Sequence, residues 1–141
     1  MSDDKRYFNL HVRGLGYLDR VREIRPKRGG KPFLAVDVTA IHGPADATQR
    51  TRFQCIVRGR EAERVVRAAA RHLEAGRKVL AGFKLGDLYA ELYRVTSGER
   101  AGEQGVALKA RLLTVYWVKV DGRLVYSAGE RDRDERSAAS A

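Results

Sequence analysis

Thr51-Arg52-Phe53-Gln54-Cys55-Ile56-Val57-Arg58-Gly59 runs directly into Arg60-Glu61-Ala62-Glu63-Arg64-Val65-Val66. The first part puts Phe53, Cys55 and Val57 on one face and Arg52, Gln54 and Arg58 on the other. That period of two predicts a half-buried strand. After Gly59 the period changes. Ala62, Val65, Val66, Ala69 and Leu73 recur at helical spacing as one apolar stripe. Gly76 stands where a helix C-terminal cap is expected. Val79, Ala81, Phe83 and Leu85 then alternate as another strand. The centre of the chain therefore reads strand, helix, strand.

Working outward from that centre, Phe8, Leu10 and Val12 alternate with Asn9, His11 and Arg13, and the pattern resumes through Tyr17-Leu18 and Val21 to Ile24. This is a long first strand, with Gly14-Leu15-Gly16 predicted as its bulge or bend. Arg25 to Pro32 holds two prolines and paired glycines and reads as an exposed turn. Leu34, Val36, Val38 and Ala40 form a second strand, and Gly43 to Gln49 a turn. On the other side, Gly86 to Gly105 reads as a long loop with Tyr89 and Tyr93 at its start. Alternation from Leu108 to Lys119 gives a further strand. Asp121-Gly122 then predicts a type I′ hairpin returning through Arg123-Leu124-Val125-Tyr126. Five strands with a helix between the third and fourth are in OB-fold order: a mainly β Greek-key barrel with an added C-terminal hairpin strand. The domain spans residues 7–127, and residues 1–6 and 128–141 are expected to be disordered.

The 141 residues carry a net charge of +10, and the domain itself carries +11. Residues 128–141 contribute −1 and residues 1–6 nothing. A body this basic favours a polyanionic partner over a neutral small substrate. The one cysteine, Cys55, excludes an intramolecular disulfide framework and suggests a reducing compartment. The acidic start predicts no signal peptide. No apolar run approaches the ~20 residues needed to cross a bilayer. The expectation is a cytoplasmic protein with no membrane partner.

Signals for enzyme chemistry are weak. His11, His42 and His72 are scattered, and no spacing fits a zinc site. Gly14-Leu15-Gly16 lacks a third glycine, and there is no Walker pattern. Asp37 and Asp87 read as isolated acids. Neither catalytic residues nor a cofactor or metal are implied.

Three stretches resemble bacterial single-stranded DNA-binding proteins. They are Phe8 to Gly16, Thr51 to Glu63, and Arg77 to Leu85. A more specific resemblance is to short replication-associated proteins carried on integrative and conjugative elements. It rests on Tyr7-Phe8-Asn9-Leu10-His11, Gly16-Tyr17-Leu18, Lys78 to Asp87, and Leu108 to Leu113. It implies an OB fold and a role in DNA replication or transfer. The chain departs from the first group in having Arg52 where a stacking aromatic is common early in the third strand. It also ends Ser137-Ala138-Ala139-Ser140-Ala141, not in an acidic tip closed by Pro-Phe.

Single-strand binding needs cations along a groove and flat side chains under the bases. OB folds bind oligonucleotides on strands two and three and with the loops after strands one and four. The candidates for phosphate are Arg20, Arg22, Arg25, Lys27, Arg28 and Lys31 near the first turn, with Arg52, Arg58, Lys84, Lys109 and Arg111 on the strands. Tyr89, Tyr93 and Trp117 are the stacking candidates, beside Tyr17. Trp117 equally suits packing on a core or a subunit interface. The arginine stripe of the helix (Arg60, Arg64, Arg67, Arg71) reads as a solvated face in which Glu63 can pair with Arg67. The expected function is sequence-tolerant single-stranded DNA binding by a homo-oligomer, dimer or tetramer. The alternative is a protein-interaction module that docks replication or conjugation enzymes.

Overall fold

The structure is a computed structural model and describes residues 8–128. The ends expected to be disordered, Ala128 apart, lie outside the described residues. In chain order the elements are β1 (His11–Ile24), β2 (Phe33–His42), β3 (Gln49–Val57), α1 (Arg60–Glu74), β4 (Val79–Arg94), β5 (Gln104–Val120) and β6 (Arg123–Ser127). β1 pairs antiparallel with both β2 and β4, β2 with β3, and β4 with β5. A parallel pairing from Phe53↔Leu108 to Val57↔Leu112 joins β3 to β5 and closes the ring. The circuit β1-β2-β3-β5-β4 is that of the OB fold. β6 pairs with β5 outside the ring. Asp121 and Gly122 both have positive φ, 49° and 86°, as the type I′ turn between β5 and β6 requires.

The alternating apolar residues fill the interior. Val36, Val38, Ala81, Leu85 and Leu112 are fully buried, and Phe83 and Leu18 nearly so. α1 closes the barrel with Ala62, Val65, Val66 and Ala69. Its first turn carries Glu61 and Glu63 and its last turn Arg71 and His72, each sign suited to the helix dipole. Arg67 donates to Glu63, as its spacing predicts. The helix stops in a Schellman motif. The Gly76 N–H donates to the Leu73 carbonyl and the Arg77 N–H to the His72 carbonyl, both at 3.0 Å, with Gly76 at φ 79°. Gly76→Ala is expected to cost about 1 kcal/mol, read as a lower melting temperature. An unchanged melting temperature would show that this cap does not hold the helix end.

Four expectations from the sequence are corrected. β1 begins at His11, and Phe8 and Leu10 ahead of it are exposed, because the β1–β4 ladder starts only at His11↔Gly86. The bulge of β1 lies between Asp19 and Arg22, with Arg20 at φ 50°, and Gly14 to Gly16 pair regularly. Gly16 has another use: a Cβ there would run into the backbone of Thr39 and Ala40, so its absence lets β2 approach. The stretch from Gly86 to Gly105 is mostly not a loop. β4 and β5 continue as a paired arm from Tyr89↔Lys109 to Arg94↔Gln104, and only the tip is irregular. Asp37 and Asp87 are not isolated acids, because both accept ion pairs from arginine.

Candidate functional site

β3 carries alternate residues outward, Arg50, Arg52, Gln54 and Ile56, and Arg58 follows just after its end. Its neighbours fix what stands beside them. Asp37 of β2 pairs with Gln54, Thr39 with Arg52, and Ala35 with Ile56. On the other side, Gln54 pairs with Lys109 and Ile56 with Arg111 of β5. Lys109 pairs in turn with Tyr89 of the arm. This register gathers basic and aromatic side chains from four strands onto one outer face.

The centre of that face is a carboxylate. Asp37 points away from the barrel interior yet is only 1% exposed, because arginines cover it. Arg20 Nη1 donates to Oδ2 at 3.2 Å and Arg22 Nη1 to Oδ1 at 3.1 Å. Arg52 Nη2 also donates to Oδ2. The β1 bulge makes this possible, since it turns both Arg20 and Arg22 toward β2. Burial alone would raise the Asp37 pKa. The hydrogen bond from Arg52 and the charges of Arg22 and Arg52 outweigh that and hold it below the ordinary carboxylate value. The same bond raises the pKa of Arg52. Three guanidinium groups around one carboxylate leave a net positive node with donors still facing solvent.

Beside the node a cleft of about 300 Å³ lies between β3 and the arm, lined by Gln54, Ile56, Arg58, Tyr89, Lys109 and Arg111 among others. Tyr89 and Tyr93 are 55% and 51% exposed, far more than core aromatics. Tyr93 lies across Gly105, where a Cβ would strike its ring, four residues beyond Tyr89 on the same face of the arm. Two of the cations are partly neutralised: Lys109 by Glu91 at 3.0 Å and Arg111 by Asp87 at 3.6 Å. Arg58 is exposed and has no ion-pair partner among the described residues.

A family model described as "Protein of unknown function (DUF3577)" matches residues 1–134. The chain belongs to that family. No curated protein matches the chain, and no solved structure does.

The face of this DUF3577 member brings together Arg20, Arg22, Arg52, Arg58, Tyr89, Tyr93, Lys109 and Arg111 from the sequence-derived set. Arg25, Lys27, Arg28 and Lys31 stand in the turn beyond the last β1–β2 pair, Ile24↔Phe33, at the end of the sheet where Arg22, Ala35 and Ile56 align. Arg25 there pairs with Glu23 at 3.6 Å. Lys84 and Trp117 belong elsewhere. Lys84 pairs with Arg13 and Thr114 on the β1–β4–β5 side. Trp117 lies over Gly82, beside Lys119 at 5.7 Å, with β6 next to it. The β3–β5 pairing has ended at Leu112 by then, and bulges at Leu113 and Tyr116 swing β5 away.

Sequence reading missed Arg50, the next outward position on β3, and the role of Asp37. Arg50 was legible from the alternation of β3. Asp37 was not, because its partners lie 15 and 17 positions away and only the strand register joins them.

Proposed function

We propose that this protein binds single-stranded DNA without sequence preference, along the outer face of β3 between the β1–β2 turn and the β4–β5 arm. The observation that carries this is the convergence of exposed Tyr89 with Arg58, Lys109 and Arg111 around one cleft of a closed barrel, with Tyr93 four residues further along the arm and Arg52 one outward position beyond Gln54 on β3. Cations along a groove attract the backbone, and aromatic faces accept any base. The resemblance to single-stranded DNA-binding proteins and to replication-associated proteins of mobile elements agrees with this reading. So does the net charge of +10. In this reading the protein acts in replication or transfer of such an element, as a homo-oligomer in the cytoplasm and without catalysis. No helix among the described residues is long and apolar enough to cross a membrane.

A second reading, an interaction module for replication or conjugation enzymes, is favoured by the other side of the arm. Leu92 and Val106 form a cross-strand pair there and are 63% and 59% exposed. One titration separates the two. Binding of labelled oligo-dT is expected to weaken steeply with salt, by about 0.7 in log K per log salt for each phosphate neutralised. A flat salt response, or no binding at moderate salt, would reject DNA binding and leave the module.

A further inference from the structure

The outward row of β3 does not end at Arg52. Arg50 is the next position, one strand repeat of roughly 7 Å along, and its side chain reaches back across β2. Its guanidinium carbon lies 5.9 Å from the ring centroid of Tyr17 on β1. Thr39, which pairs with Arg52 on one side and Tyr17 on the other, bridges the same gap. Tyr17 and Arg50 form one wall of a second cleft, about 330 Å³, at the C-terminal end of α1. Its apolar lining includes Leu73 and Val79, and Arg77 and Lys78 also line it. Both of these cations are exposed. The one acid lining the cleft, Asp19, accepts the Arg20 backbone N–H at 2.8 Å.

We infer that this cleft is an extension of the strand-binding path, taking the nucleotides that leave the β3 face past Arg52. The inference rests on the DNA-binding reading above. The parts match what a nucleotide needs. A tyrosine ring with an arginine over it offers a stacking surface, and two cations beside it meet the phosphate. The negative end of the α1 dipole would repel an anion there. Arg77 and Lys78, immediately after the helix, reverse that sign. No ion pair holds either of them among the described residues. Arg77 shares a side-chain hydrogen bond with His72 at 3.0 Å, and Lys78 bonds through its backbone N–H to Asp121.

The test compares wild type with Arg77→Ala/Lys78→Ala on a series of labelled oligo-dT strands from about 4 to about 20 nucleotides, within the site sizes OB folds span. Both changes are at exposed positions, and an unchanged melting temperature certifies the fold. On short strands the two proteins are expected to bind alike. On long strands the variant is expected to bind about 10-fold more weakly, with a salt slope smaller by about 1.4, two phosphates' worth. Equal binding at every length would overturn the extension and leave the β3 groove standing. An equal loss at every length would also overturn it, because the cations would then act on the groove as a whole. Failure of wild type to bind any strand would remove both readings together.

Discussion

Tyr89→Ala/Tyr93→Ala is expected to weaken oligo-dT binding about 100-fold while leaving the melting temperature and the salt slope almost unchanged. The magnitude comes from stacking. Each base on an aromatic ring is worth about 1–3 kcal/mol, and two rings at the lower half of that range give close to 3 kcal/mol. Stability should hold because both rings are half-exposed and on the arm, outside the core. The salt slope should hold because neither residue neutralises a phosphate. This triple pattern distinguishes stacking from its rivals. If the arm is a docking surface for another protein, affinity for DNA will not fall. If the tyrosines only brace the arm, the melting temperature and slope will move along with affinity. Removing Trp117, in contrast, should affect the barrel wall over Gly82 and not the bound strand.

How far the sequence could show this site follows from how each part is built. The barrel order was legible because inward residues alternate with outward ones over most of each ring strand, the bulges of β1 and β5 apart, and α1 breaks the period once. The arm was misread for a physical reason. Leu88, Ala90 and Leu92 alternate with Tyr89, Glu91 and Tyr93, but the apolar set is exposed at its outer end. A projecting ribbon lacks the strong inside-outside contrast of a core strand. Gly98 and Gly102, both at positive φ, serve only the tip. The sequence could not tell that Trp117 and Lys84 face away from Lys109. All are outward residues, but outward on a closed barrel is a full circle of directions. The bulges of β5 decide which one each residue takes.

The second large effect concerns Asp37. Asp37→Asn is expected to lower stability by about 2 kcal/mol and, in the opposite direction, to strengthen DNA binding. Breaking a buried ion pair by removing one partner commonly costs about 3–5 kcal/mol, since the other charge is left stranded. Here the partners are not stranded. Arg20 and Arg52 are 55% and 53% exposed and can rehydrate, which sets the expectation below that range. The same rehydrated guanidinium groups become available to phosphate, and the net charge of the face rises by one. An additional phosphate contact would steepen the salt slope by about 0.7. The pH dependence supplies an independent check. The Asp37 pKa is lower in the folded protein than its ordinary value of 3.8, so its contribution is present above that value and is lost as pH falls through the folded pKa. The stability gap between wild type and Asp37→Asn should therefore be constant from about pH 5 upward and narrow below about pH 4. A gap that stayed constant to pH 2, or an absent gap at pH 7, would show that the three arginines do not hold this carboxylate ionised. Weaker DNA binding in the variant would show something different: that Asp37 positions the arginines for phosphate and does not compete for them. The arginines would then need their carboxylate in place to bind.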